Sequence, residues 1–196
     1  MQRKALLAAW ALPATIGLIA TVLLILGDDA ALRLRYDRAA VASGQFLRLV
    51  SGHGVHLGPA HYLMNIAGLA LTWYLVGAAF SLVHWLLIIA ASIVLIDLGL
   101  WFLIPGLAWY VGLSGLLHGM LAAGIAGIWR TRRLEAMIIA AVLVVKLGYE
   151  ALVGPLPGSA ATAGGNVVTE AHLLGALGGF AAGMLFSNRV RPEASI

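Results

Sequence analysis

The 196-residue chain has no cysteine. That excludes a disulfide framework and any thiolate metal site. Charge is scarce too: 10% of residues are charged, 12 basic and 8 acidic. A soluble domain carries about 25%. Apolar side chains make up 62% of the chain instead, and mean hydropathy is +0.98. The formal net charge of +4 does not point to nucleic acid. The charges lie between apolar segments and near the ends, where a membrane protein places them. The expected fold class is all-α, a polytopic membrane protein, and the length suits one domain, 1–196.

Six apolar segments reach membrane length, at about 5–27, 60–80, 82–100, 108–129, 134–153 and 169–187. The first is long for a signal-peptide core and lacks a clean cleavage motif, so it is counted as a span. Alternate loops collect Arg3, Lys4, Arg130, Arg132, Arg133, Arg189 and Arg191 on one side. Arg33, Arg35, Arg38 and Arg48 fall on the other, partly offset by Asp28, Asp29 and Asp37. The excess of basic residues puts both termini in the cytoplasm. On this reading Ser114 lies roughly 9 Å into the fourth span and His172 roughly 6 Å into the sixth, at a rise of 1.5 Å per residue.

Shared depth matters because serine and histidine are the minimal pair for nucleophilic hydrolysis. The glycines around Ser114, in Gly112-Leu113-Ser114-Gly115, leave its flank open to a peptide backbone. Small residues also recur every fourth position. Gly175, Gly179 and Gly183 continue from His172 along the sixth segment, and Gly115, Gly119 and Ala123 run along the fourth. Such stripes let membrane helices approach closely, which brings Ser114 and His172 within reach of each other. The bland reading is that the glycines only pack, and that a membrane serine bonds to its own helix.

A second polar cluster holds His53, His56, His61 and Asn65. His61 and Asn65 share a helix face and offer donors for an oxyanion, together with the Ser114 backbone N–H. His56 precedes the span and braces the loop. Three closely spaced histidines also invite a metal. No His-Glu-x-x-His run and no nearby carboxylate accompanies them, so no metal and no cofactor is expected. Lys146 and Glu150 are expected to pair with each other at the outer boundary and to carry no chemistry. Asp97 reads as interfacial or structural, and no carboxylate is expected to orient His172.

His61-x-x-x-Asn65, Gly112-Leu113-Ser114-Gly115 and Ala171-His172-x-x-Gly175-x-x-x-Gly179, in that order, resemble the rhomboid family of intramembrane serine proteases. The resemblance implies a six-transmembrane-helix rhomboid-like bundle. Ser114 would be the nucleophile and His172 the general base. His61 and Asn65 would help form the oxyanion hole, with Gly112 beside them, and His56 would be a supporting histidine. Gln45-Phe46-Leu47-Arg48 takes the place of the family's Trp-Arg element without the tryptophan. His118 stands where rhomboids commonly place a tyrosine against the catalytic histidine.

The runs Gly-Leu-Ser-Gly-Leu-Leu-His-Gly and Gly-His-Gly-Val-His-Leu-Gly-Pro-Ala-His look like a narrower branch, the rhombosortases. That branch implies a bacterial inner-membrane enzyme with its site near the periplasmic side. Its partners would be lipid and the C-terminal Gly-Gly-type sorting anchors of surface or secreted proteins. The rival readings are a general rhomboid protease of unrelated single-span substrates and a non-enzymatic, histidine-rich metal- or haem-binding membrane protein. A transporter would show an internal repeat or broken helices at the midplane, and no repeat is evident.

Overall fold

The computed structural model describes residues 10–187. Arg3, Lys4, Arg189 and Arg191, used above for orientation, lie outside the described residues. In chain order the elements are α1 (Ala11–Ile25), α2 (Gly27–Leu34), β1 (Tyr36–Asp37), α3 (Arg38–Ala42), α4 (Arg48–Ser51), α5 (Pro59–Val76), α6 (Leu82–Phe102), β2 (Trp109–Tyr110), α7 (Ser114–Ile128), α8 (Arg133–Leu152), α9 (Ser159–Ala163) and α10 (Thr169–Ser187). Short 3₁₀ turns follow α4 and α5.

The fold is mostly helical, and the six-span expectation is corrected. Among the described residues only Pro59–Ala79 and Leu82–Phe102 are long and apolar enough to cross a membrane. A third crossing exists only if α1 and α2 count as one span, and that pair is bent by 117°. The reasons are physical. α7 has 15 residues, about 22 Å of helix against about 30 Å of hydrocarbon. α8 carries Arg133, Glu135, Lys146 and Glu150. α10 opens on Thr169 and Glu170 and is diluted by four-residue glycine spacing. The sidedness argued from six crossings loses its basis with them. The chain is membrane-associated, and two short strands qualify the all-α expectation.

Local signals account for several element boundaries. Pro59 sits in the first turn of α5, where its missing N–H costs nothing. Ser81 caps α6 by accepting the His84 N–H. Asp37 caps α3 by accepting the Ala40 N–H at 3.2 Å. That bond, with burial opposing it and Arg35 assisting, holds the Asp37 carboxyl below its usual range.

α10 packs chiefly on α7 and then on α6. A Cβ at Gly175 would overlap the Gly115 carbonyl, and one at Gly179 would overlap Gly119. Ala123 closes on Gly183 in the same way. The two small-residue stripes therefore face one another along the crossing. Below it lies a core of Val76, Trp85, Ile88, Met120 and Ala123.

A second cluster, including Tyr36, Ile96, Leu100, Tyr110 and Ala171, lies under the first loop. Tyr36 pairs with Tyr110 and Asp37 with Trp109 across the two-stranded ladder. The Arg38 guanidinium donates to the carbonyls of Leu100, Trp101, Ile104 and Leu107. It thereby satisfies the open C-terminal end of α6. Arg48 donates to Gln45 Oε1 and to the carbonyls of Leu32 and Arg35, tying the first loop to itself.

Candidate active site

Ser114 is the first residue of α7, not a residue six positions inside a span. The stretch before it is loop and strand. Gly112 adopts φ +122°, a region that side chains rarely occupy. A Cβ there would stand 2.9 Å from His61 Cε1 and 3.0 Å from Nε2. Both the turn and the space thus require glycine. The Gly112 N–H reaches the Gly52 carbonyl at 3.1 Å, and its own carbonyl accepts the Tyr110 hydroxyl at 2.8 Å. Burial raises the pKa of that phenol, which keeps it a donor. The turn hands Ser114 to a helix N-terminus, where first-turn N–H groups lack intrahelical acceptors.

His172, in the first turn of α10, places Nε2 2.9 Å from Ser114 Oγ. On its other side Nδ1 lies 2.9 Å from Glu150 Oε2. Glu150 is 5% exposed, and its second oxygen meets Lys146 Nζ at 2.7 Å. The Lys146–Glu150 pair forms as the sequence predicts, but its carboxylate faces His172. The expectation that the pair stands apart from the site, and that no carboxylate reaches His172, is corrected. Helical spacing revealed the pair. It could not reveal which neighbour that face of α8 meets.

His118 lies against a face of the His172 ring. The rings stack with centroids 4.3 Å apart and planes 16° from parallel. His118 Nδ1 is 2.7 Å from the Ser114 carbonyl oxygen, so it is directed at the backbone of its own helix and not at Oγ.

The Leu57 N–H donates to His61 Nδ1 at 3.3 Å. A ring nitrogen that accepts has no proton, so in the neutral ring Nε2 carries it. Nε2 is the atom that borders Gly112. Asn65 also lines the cleft, but its Nδ2 donates to the His61 carbonyl at 3.1 Å. The two expected oxyanion donors therefore differ: His61 Nε2–H has no partner among the described residues, and Asn65 Nδ2 commits one of its two N–H groups to its own helix.

His56 packs edge-on against His61, at 5.1 Å, and against Tyr62, at 5.7 Å. Burial, reinforced by nearby His61, lowers its pKa to about 4. His53 lies deeper, with Nε2 3.4 Å from Asp97 Oδ1. Asp97 is 7% exposed, buried beneath the first loop, in keeping with a structural role.

An apolar cleft of about 280 Å³ opens on Ser114 and His172, walled by α5, α8 and the α9 segment. A smaller, more polar hollow of about 180 Å³ meets Ser114 from the side of residues 106–111. Ser114 thus lies between an apolar and a more polar recess. Residues 43–189 match the rhomboid domain family. The chain belongs to the rhomboid family. No curated protein matches it. The rhomboid match spans most of the chain and includes every site residue named above.

Proposed function

We propose that this rhomboid is an intramembrane serine endopeptidase with Ser114 as nucleophile and His172 as general base. The observation that carries the reading is the 2.9 Å separation of Ser114 Oγ and His172 Nε2, which is hydrogen-bond distance. His172 takes the Oγ proton as Ser114 attacks a peptide carbonyl. The negative charge formed on that oxygen meets His61 Nε2–H and the N–H groups at the start of α7. His172 then gives the proton to the departing amine. Water, activated by the same imidazole, splits the resulting acyl ester and regenerates Ser114.

The substrate reading follows the broader family: single-span membrane segments with helix-breaking residues at the cut, where unwinding costs least. The narrower substrate, a Gly-Gly-type C-terminal sorting anchor cut at the outer face of a bacterial inner membrane, rests on the sequence resemblance to rhombosortases alone. Parallel cleavage assays on one anchor of each kind separate the two.

A second reading has its own observation. Ligand-type atoms of His118, Glu150 and His172 lie within 4.8 Å of one another, a spacing compatible with a metal-binding protein. Against it, both His172 nitrogens already have protein neighbours. Near-parallel stacked rings also aim their in-plane lone pairs past a common ion.

The deciding experiment labels detergent-purified full chain with a fluorophosphonate serine probe. Labelling of wild type, lost in Ser114→Ala and in His172→Ala, is the expected result. Labelling of Ser114→Ala, or none in folded wild type, overturns the protease reading. Stoichiometric metal in the purified protein, lost in Glu150→Ala, then favours the second.

A further inference from the structure

α8 buries a carboxylate near its C-terminal end. Glu150 is 5% exposed, in a setting where an ionisable group is expensive and calls for an explanation. Its two oxygens are divided between two partners. Oε1 meets Lys146 Nζ at 2.7 Å, and Oε2 meets His172 Nδ1 at 2.9 Å. The four-residue spacing puts Lys146 and Glu150 on one face of α8, and that face is turned to α10.

Building on the serine-protease reading above, we propose that Glu150, held in place by Lys146, is a positioning residue for His172. The site then works as Ser114–His172–Glu150, with its orienting carboxylate supplied by α8.

The chemistry follows from donors and acceptors. An ionised carboxylate only accepts hydrogen bonds, and an ammonium only donates them. Lys146 therefore pairs with Oε1, and Oε2 is left to accept from Nδ1–H. That fixes the tautomer of His172. The proton sits on Nδ1, and the Nε2 lone pair faces Ser114 Oγ at 2.9 Å. In the opposite tautomer two lone pairs would confront each other across Nδ1 and Oε2, and Nε2–H could not accept the serine proton.

When His172 takes that proton, the imidazolium forms beside a carboxylate already in position. The proton leaves with the amine, and Glu150 stays ionised throughout. Lys146 Nζ, 3.4 Å from Nδ1, balances the carboxylate so that no net charge is buried with it. His118, stacked on a face of the ring, limits its tilt. The carboxylate fixes the ring's rotation in its plane.

The test compares saturating labelling rate and half-saturating probe concentration in wild type, Glu150→Gln, Glu150→Asp and the double variant Lys146→Met/Glu150→Gln. Glu150→Gln keeps the shape and removes the charge. Its saturating rate is expected to fall on the order of 10⁴-fold, as when a triad carboxylate becomes an amide, with half-saturation unchanged. Glu150→Asp is expected to recover at least about tenfold of that loss. The double variant leaves no unpaired lysine charge, so it controls for folding, and it should be as slow as Glu150→Gln.

A wild-type rate in Glu150→Gln, or recovery of the rate in the double variant, overturns the proposal. If Ser114→Ala is silent while wild type and Glu150→Gln label alike, only the Glu150 role fails. If folded wild type does not label, the protease reading fails and this inference with it.

Discussion

Gly179 faces Gly119 across the α7–α10 crossing with no room for a Cβ on Gly179. This contact sets the separation of the helices that carry Ser114 and His172. Gly179→Val must push the helices apart or distort them. Overpacking of this kind costs about 1–3 kcal/mol. The expected outcome is a lower melting temperature and weak probe labelling, because Ser114 and His172 are carried out of reach. Retention of full labelling at unchanged stability would show that the crossing does not set the site geometry.

The two oxyanion candidates should separate by mutation. His61 Nε2–H borders Gly112 and has no partner among the described residues, and Asn65 Nδ2 gives one of its two N–H groups to the His61 carbonyl. Loss of a principal oxyanion donor costs about 10²–10³ in turnover. His61→Ala is expected in that range, with Asn65→Ala distinctly milder. Steady-state cleavage of one peptide by both variants measures the order, and the reverse order would reassign the principal donor to Asn65.

His118 contributes a ring and not a base. Its Nδ1 is directed at the Ser114 carbonyl, while its face covers His172. His118→Phe keeps the stack and should retain most activity. His118→Ala removes it and should lose about tenfold, equivalent to roughly 1.4 kcal/mol of positioning. Complete inactivity of a folded His118→Phe would instead make His118 an essential proton carrier.

Acid should loosen the first loop through His56. Its pKa is about 4 in the fold against about 6.5 unfolded. Between those values the unfolded chain binds the proton and the folded one does not. Stability therefore falls as pH drops from about 6.5 towards 4 and is fully present above that window. His56→Gln is expected to flatten this part of a melting-temperature-against-pH curve. An unchanged slope would assign the acid sensitivity to another group.

That the candidate-site residues come together was legible in the sequence, because a glycine stripe or a His-x-x-x-Asn step records which positions share a helix face. Two features were not. Glu150 escaped because the rotation of α8 against α10 is a tertiary property, and an i,i+4 ion pair looks complete on its own. The number of spans was overcounted because hydropathy runs through Ala108–Leu113 without interruption. Those residues instead make β2 and the turn at Gly112, so the helix that follows is short.

The pairing of Tyr36 with Tyr110, the Gly52–Gly112 bond and the Arg38 clamp on the end of α6 join segments 36–52 and 100–112, which are remote in the chain. For family shuffling or chimera construction, these two stretches form one heritable cassette. A crossover anywhere between 53 and 99 gives the Gly112–Ser114 turn a foreign scaffold, and an exchange that moves both segments together leaves it native.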